Sequence, residues 1–414
     1  FCLERILYEM RASRYQALSP VNGLLSCLAI HASDPHHPEL ARCIAGLEAW
    51  RWEDEDKGIR YAGARSNAWD TAFVLRAALE APEPWRQRQP MLEGYGFLRN
   101  TQMKEELEGR ERERRDPVLG GFCFSDGAHR WPVSDCTAEA LSAILEMHAD
   151  PALAPSSALR IADGLIQKAI TFVLARQNQD GGFGTYERRR AGSFLEALNP
   201  SEMFGQCMTE RSYVECTASC VSALARARTA RTEEGSPLLS RAIMGKVESS
   251  IRRAIHFLGS QQRPDGSWAG FWGIHFTYAI FHVVEAFHAA GRRSADPTLR
   301  RAVKWLLSKQ KADGGWGEHY TSAMTGHYVE HSESQASNTA WALLALLGAG
   351  EAPASAPVMR AVRWLGSKQL PDGSWPTQAP AGVFFGTAVL DYTLYKNYFP
   401  TWALARHTKL CERP

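Results

Sequence analysis

AVKWLLSKQKADGGW, residues Ala302–Trp316, recurs along the chain. Its companions are AITFVLARQNQDGGF (Ala169–Phe183), AIHFLGSQQRPDGSW (Ala254–Trp268) and AVRWLGSKQLPDGSW (Ala361–Trp375). Each copy opens on Ala, has an aromatic at +3, Gln at +8, Asp-Gly at +11 and +12, and Phe or Trp at +14. A fifth, weaker copy has Phe97 and Gln102 at the same spacing, then a charged insertion, then Gly120-Gly121-Phe122. The apolar residues at the head of each copy fall at helical spacing. Asp-Gly then supplies a turn, because Gly tolerates positive φ. The Gln amide can bond backbone groups left free on a neighbouring helix, with the aromatic ring as its cover. Between the copies lie further helix-like stretches, Glu215–Arg228, Tyr278–Ala290 and Asn338–Gly348. Two helices per repeat closed into a ring predict an all-α fold, an α/α (α6–α6) barrel; an open helical solenoid used for binding is the alternative.

Composition removes several function classes. Lys+Arg 47 against Asp+Glu 45 leaves a net charge of +2, so no basic field for nucleic acid exists. Nine cysteines, an odd number without a CxxC pair, argue against a disulfide framework or zinc ribbon and for a reducing compartment. No uncharged apolar run reaches the length of a membrane-crossing helix. The chain starts at Phe1 with no signal-peptide pattern and reads as a piece of something longer. Lys104–Asp116 (KEELEGRERERRD) reads as a solvated helix or loop within the insertion. His319, His327 and His331 include HYVEH, an i,i+4 pair that a helix could offer to zinc. Its Glu is misplaced for the metalloprotease motif and it follows a repeat turn, so no metal site is expected.

The chemistry lies between repeats, in GGFCFSDGAHRWPVSDCTAEA (Gly120–Ala140). Asp135 stands between Ser134 and Cys136 at the head of an apolar helical stretch. Its simplest reading is a helix N-cap, worth about 1 kcal/mol. A second segment, RSYVECTASC (Arg211–Cys220), opens another helix on the same Cys-Thr pair.

The Gln…Asp-Gly-x-aromatic repeats resemble the QW motifs of the triterpene cyclases. VSDCTAEA (Val133–Ala140) resembles the acid motif of the oxidosqualene cyclases. YVECT (Tyr213–Thr217), NPSEMFG (Asn199–Gly205), WDTAF (Trp69–Phe73), FTY (Phe276–Tyr278) and YFPTWAL (Tyr398–Leu404) resemble that family too, in order along the chain. The Asp-rich DxDD-type motif of squalene–hopene cyclases is absent. The resemblance implies a lipid substrate, (3S)-2,3-oxidosqualene, with no cofactor, no metal and no nucleic acid partner. It implies that Asp135 protonates the epoxide, with Cys136 and Cys216 as donors to the carboxylate left behind. Burial keeps such an acid protonated, and hydrogen bonds to the anion offset part of that shift. The cation that follows needs a dry cavity with aromatic faces, each worth roughly 0.5–2 kcal/mol. By motif position these are Trp69, Phe124, Tyr186, Trp272, Tyr278, Phe384 and Tyr392; the repeat aromatics Trp268, Trp316 and Trp375 belong to the scaffold. Tyr186 matches the Tyr that acts with a His in the last deprotonation, the His lying outside this chain. Val133 resembles lanosterol-forming members and His129 cycloartenol-forming ones. One departure is AGVFFGTAVLDY (Ala381–Tyr392), with Phe385 where the family usually carries Asn.

The family's two α/α barrels imply that residues 65–414 form the catalytic barrel and residues 1–64 the tail of the other. The charged, Gly-containing Arg51–Arg65 would join them. Monotopic membrane attachment on the cytoplasmic side is implied, through a surface largely outside this chain. A squalene–hopene-type cyclase and a helical-repeat binding module without catalysis are the alternatives.

Overall fold

The computed structural model describes residues 2–55, 58–61, 65–82 and 87–412. Three helices lead, α1 (Cys2–Ala12), α2 (Pro20–Ser33) and α3 (Leu40–Gly46), followed by a hairpin of β1 (Arg51–Asp54) and β2 (Gly58–Tyr61). These helices enclose a small core of their own around Met10, Cys27, Ile30 and Cys43. The hairpin stands where a plain connection was expected. Residues 62–64, where the domain boundary was expected, lie outside the described residues, as does Phe1.

The rest is a barrel. Six helices form its inner ring: α4 (Asn67–Glu80), α6 (Ser134–Ala149), α8 (Val214–Thr229), α10 (Phe276–Ala289), α13 (Ala336–Gly348) and α15 (Tyr395–Cys411). Each packs on the next, and α15 returns to α4, which closes the ring. The outer helices are α5 (Arg88–Thr101), α7 (Asp163–Leu174), α9 (Arg241–Ser260), α11 (Pro297–Lys309) and α14 (Ala356–Lys368). The four strong repeats each end one outer helix and turn inward. Short pieces complete the count: 3-10 turns at Leu47–Trp50 and Ser193–Leu198, β3 (Phe122–Cys123) and β4 (Pro132–Val133), α12 (Thr321–Thr325), and a second hairpin of β5 (Gly382–Phe384) and β6 (Ala388–Leu390). The barrel is all-α in substance, with the strands confined to its rim.

The repeat chemistry is now explicit. Gln262 Nε2 donates at 2.9 Å to Gly266 O of its own turn and at 2.9 Å to Thr298 O of the next outer helix. Gln177 does the same for Gly181 and Ser250, and Gln310 for Gly314 and Pro357. Gln102 of the weak copy bonds Gly120 O and Leu165 O in the same way. The turn glycine is obligatory for two reasons. Gly266 has φ +97°, and a Cβ there would lie 2.6 Å from Arg301 O. Trp268, Trp316 and Trp375 are fully buried and donate Nε1–H to Leu258, Leu306 and Leu365. They are scaffold. A second tie fastens the inner ring: the backbone N–H groups of Phe122, Phe183 and Trp316 donate to Thr137, Thr217 and Thr339, each in the first turn or two of an inner helix.

The charged insertion Lys104–Asp116 is for the most part the exposed loop its composition suggested, but its last two residues are not. Arg115 and Asp116 are buried. Arg115 pairs with Glu9 of α1 at 2.8 Å and Glu187 at 3.0 Å, and its guanidinium lies 3.4 Å from the Trp131 ring centroid. Asp116 pairs with Arg188 and Arg190. The insertion thus fastens α1 to the barrel rim. His327 and His331 lie after α12, outside any helix; His331 Nδ1 accepts from Glu333 N, and His319 Nδ1 meets Thr321 Oγ1. The i,i+4 helical geometry that zinc would use is not formed.

Candidate active site

Asp135 is the second residue of α6. It is not an N-cap: Val133 occupies that position, in extended backbone, without a side-chain cap. Instead Asp135 Oδ1 accepts the Cys136 N–H at 2.7 Å and Oδ2 accepts the Cys216 S–H at 3.4 Å. Cys216 sits one turn into α8 and in turn meets Thr185 Oγ1 at 3.4 Å. Burial pushes Asp135 up to about 6, against the pull of the Cys136 amide and the Cys216 thiol. Burial likewise drives both thiols well above their ordinary range, so they stay S–H donors.

Asp135 faces a cavity of about 670 Å³. Every aromatic named from the motifs lines it: Trp69, Phe124, Tyr186, Trp272, Tyr278, Phe384 and Tyr392, together with Cys136, Val133 and His129. The rings form a connected wall. Phe124 is 6.3 Å from Trp69, 6.0 Å from Phe384 and 6.2 Å from Tyr392, and Trp272 stands edge-on to Phe384 at 5.2 Å. His129 is buried and held neutral by burial, down at about 4. Its Nδ1 accepts the Trp131 N–H at 3.3 Å, which puts its proton on Nε2.

Several lining residues had no role assigned from the motifs. Tyr395 stacks on Tyr392 at 4.3 Å and accepts the Trp69 indole N–H at 2.8 Å. Its signal was the aromatic spacing Tyr392, Tyr395, Tyr398, Phe399, Trp402 running into and along α15. Trp50, Phe204 and Phe385 close the mouth, with Leu18 and Val21 from the leading helices. Phe385 has φ +53°, a conformation in which Asn is far more at ease than Phe. It packs edge-on against Phe204 and Trp272 at 5.3 Å each. Two glutamates were also missed. Glu215 accepts the backbone N–H groups of Phe271 and Trp272, the latter at 3.0 Å; Glu210 accepts those of Thr185 and Tyr186 at 3.0 and 2.9 Å. Burial pushes both glutamates up to about 7.

What this arrangement can do follows from its parts. A carboxyl whose proton affinity is raised to about 6 by burial, with neutral donors ready for the anion, can protonate a weak base inside an apolar chamber. Ring faces, which stabilise positive charge without bonding to it, can then hold the cation. Among the described residues, no cluster suited to a metal ion occurs, and no helix is long and apolar enough to cross a membrane.

Residues 65–409 match the family model described as the squalene-hopene cyclase C-terminal domain. The chain is 37% identical to the cycloartenol synthase of Dictyostelium discoideum over 99% of its length and 56% of that protein. It is 35% identical to the lanosterol synthase of Homo sapiens, over 98% of this chain and 55% of that one. The chain therefore spans about half the length of these relatives. Among solved structures, the ent-copalyl diphosphate synthase from Streptomyces platensis shares the fold, with a TM-score of 0.55 at 18% identity over 91% of this chain and 56% of that one. The repeats, the buried acid and this match leave one family: the chain belongs to the squalene-hopene cyclase C-terminal-domain family, among its cycloartenol- and lanosterol-synthase-like members.

Proposed function

We propose that the protein is a triterpene cyclase that converts (3S)-2,3-oxidosqualene to a tetracyclic sterol precursor. One observation carries the reading: Asp135, buried at the wall of a ring-lined cavity, with the Cys216 thiol and the Cys136 amide on its two oxygens. In this reading Asp135 O–H gives its proton to the epoxide oxygen as the C–O bond breaks. The carboxylate left behind is stabilised by Cys136 and Cys216. Trp69, Phe124, Trp272, Tyr278, Phe384 and Tyr392 present faces to successive cations. Tyr186 acts near the last cation, with a His from outside this chain taking the final proton. Val133 supports lanosterol, the favoured product; His129 supports cycloartenol, and parkeol is a further alternative.

Residues 65–414 act as the catalytic barrel, and residues 1–64 belong to a second barrel that completes the chamber. Leu18, Val21 and Trp50, which line the mouth, support this. Monotopic attachment to the cytoplasmic side of a membrane is part of the same reading. It is supported by Phe194, Leu198, Met203 and Met208, exposed apolar residues on the loop that borders the mouth.

The test is product analysis. The 414-residue chain, and the same chain joined to any sequence its gene encodes upstream, are each fed oxidosqualene and, separately, squalene. A sterol from oxidosqualene in the longer form only is expected. Sterol from the 414 residues alone removes the need for a second barrel; products from squalene favour a hopene-type cyclase; no cyclised product leaves a binding module.

A further inference from the structure

Tyr186 and the Asp135–Cys216 pair serve opposite ends of the proposed reaction. They meet in a three-residue segment, Gly184–Tyr186. Its carbonyls are held from one side: Ser134 Oγ donates to Gly184 O at 2.6 Å, Ser134 N to Thr185 O at 2.8 Å, and Arg176 Nε to Tyr186 O at 2.7 Å. The amides of Thr185 and Tyr186 face the other way, and both end on Glu210, one on each carboxylate oxygen. Glu210 precedes α8 by four residues and makes no ion pair among the described residues. A carboxylate spanning two consecutive amides fixes the peptide plane between them, as an anion does in a backbone nest. That plane joins two functional side chains. Thr185 Oγ1 touches the thiol that bonds Asp135, and Tyr186 lines the cavity.

Resting on the cyclase reading, we infer that Glu210 is a positioning residue that sets the two ends of the reaction at once: the orientation of the Cys216 donor to the acid, and the position of Tyr186 at the last cation. Glu210 touches neither substrate nor Asp135. It acts only through the Thr185–Tyr186 peptide. A glutamine at 210 keeps the size but offers an NH₂ group to one of the two amides, where two donors then oppose each other. The segment must rotate or shift to relieve this. A displacement of about 1 Å in such a position costs about 100-fold in rate.

The experiment compares wild type, Glu210→Gln and Thr185→Val in the active form of the protein, with crystal structures of each. Glu210→Gln is expected to lower kcat by about 100-fold with KM nearly unchanged, and to change the ratio of deprotonation products. That ratio is the deciding readout, because loss of folded protein lowers the yield without altering it. Thr185→Val removes only the contact to Cys216, so it should slow turnover and leave the ratio as in wild type. The Glu210→Gln structure should show the Thr185–Tyr186 peptide displaced and the Thr185–Cys216 contact opened. An active Glu210→Gln enzyme with unchanged kcat and product ratio overturns the inference. If wild type forms no cyclised product, the cyclase reading fails, and the structures decide whether Glu210 positions the segment: an unmoved peptide refutes it, a displaced one upholds it. Glu210→Asp, too short to span both amides, takes the same measurements if the glutamine variant does not fold.

Discussion

Helices α6 and α8 begin alike and end up with different work. Ser134-Asp135-Cys136-Thr137-Ala138 and Val214-Glu215-Cys216-Thr217-Ala218 each place a carboxylic acid second in the helix, then a buried cysteine, then a threonine. Both threonines accept the backbone N–H of a repeat aromatic, Phe122 and Phe183, at 2.8 and 2.9 Å. The local frames therefore match, and the acids differ by one methylene. The short side chain stays at the cavity wall, where a neighbouring amide and the Cys216 thiol reach it. The longer one extends to the Phe271–Trp272 backbone and holds a cavity aromatic in place. Side-chain length, in one frame, separates an acid from a clamp.

The largest test of this division is Asp135→Asn. Without a transferable proton, cyclisation should fall by about 10⁴-fold. The same change should stabilise the fold at neutral pH. Asp135 is raised by burial from 3.8 to about 6, so the folded state binds its proton more tightly than the unfolded state does. Below pH 3.8 the side chain is neutral in both states and costs nothing on this account. Between there and about 6 the unfolded chain ionises first and stability declines, by up to about 3 kcal/mol at 1.36 kcal/mol per pH unit. Thermal melts should then show Asp135→Asn above wild type at pH 7–8, with the gap closing by pH 3.5. An equal gap at both ends of that range would separate stability from this carboxyl.

The equivalent change in α8 should read differently. Glu215 Oε1 takes both amides, and Oε2 is buried without a hydrogen-bond partner. Glu215→Gln keeps the accepting oxygen, so turnover should remain within about threefold of wild type, the scale of a small loss in binding energy. Glu215→Ala strands two amides, at about 1–3 kcal/mol for each buried group left unpaired, and frees Trp272. Its rate should fall by about 10- to 100-fold. A Glu215→Gln enzyme as dead as Asp135→Asn would make Glu215 a second acid and end the contrast.

The sequence showed one part of this molecule far better than the other. The outer ring was legible because it repeats: Gln102, Gln177, Gln262 and Gln310 each tie their own turn to a backbone carbonyl of the next outer helix, at a fixed spacing. The acid and its aromatic wall were legible through motifs, since each lies a few residues from a recognisable segment. The mouth was not. Trp50, Phe204 and Phe385 come from three distant irregular stretches and meet only in three dimensions. Glu210 looks like an ordinary surface acid in a row of letters, and Glu215 stood in YVECT without a role, because their partners are backbone amides 24 to 57 residues away. The same reason explains Lys104–Asp116: its charge pattern cannot show that Glu9, Glu187, Arg188 and Arg190 will neutralise Arg115 and Asp116 as they are buried.

The smallest effect tests the premise of matched frames. If α6 and α8 start on equivalent scaffolds, Thr137→Val and Thr217→Val should both weaken the fold, by the loss of the same acceptor. Each removes the acceptor for one buried backbone amide while nearly preserving volume, which costs about 1–3 kcal/mol. Phe122 and Phe183 are both almost fully buried, so water does not replace the lost acceptor at either place. Denaturation midpoints for both variants should fall, and the product ratio should stay that of wild type in both. Thr137 also donates to Val133 O at 2.6 Å, a bond that closes its helix start. Thr137→Val should therefore be the more damaging of the pair by the worth of one hydrogen bond, about 1 kcal/mol. A larger separation, or a product change in only one variant, would mean that the helix carrying the acid is held by something the other lacks.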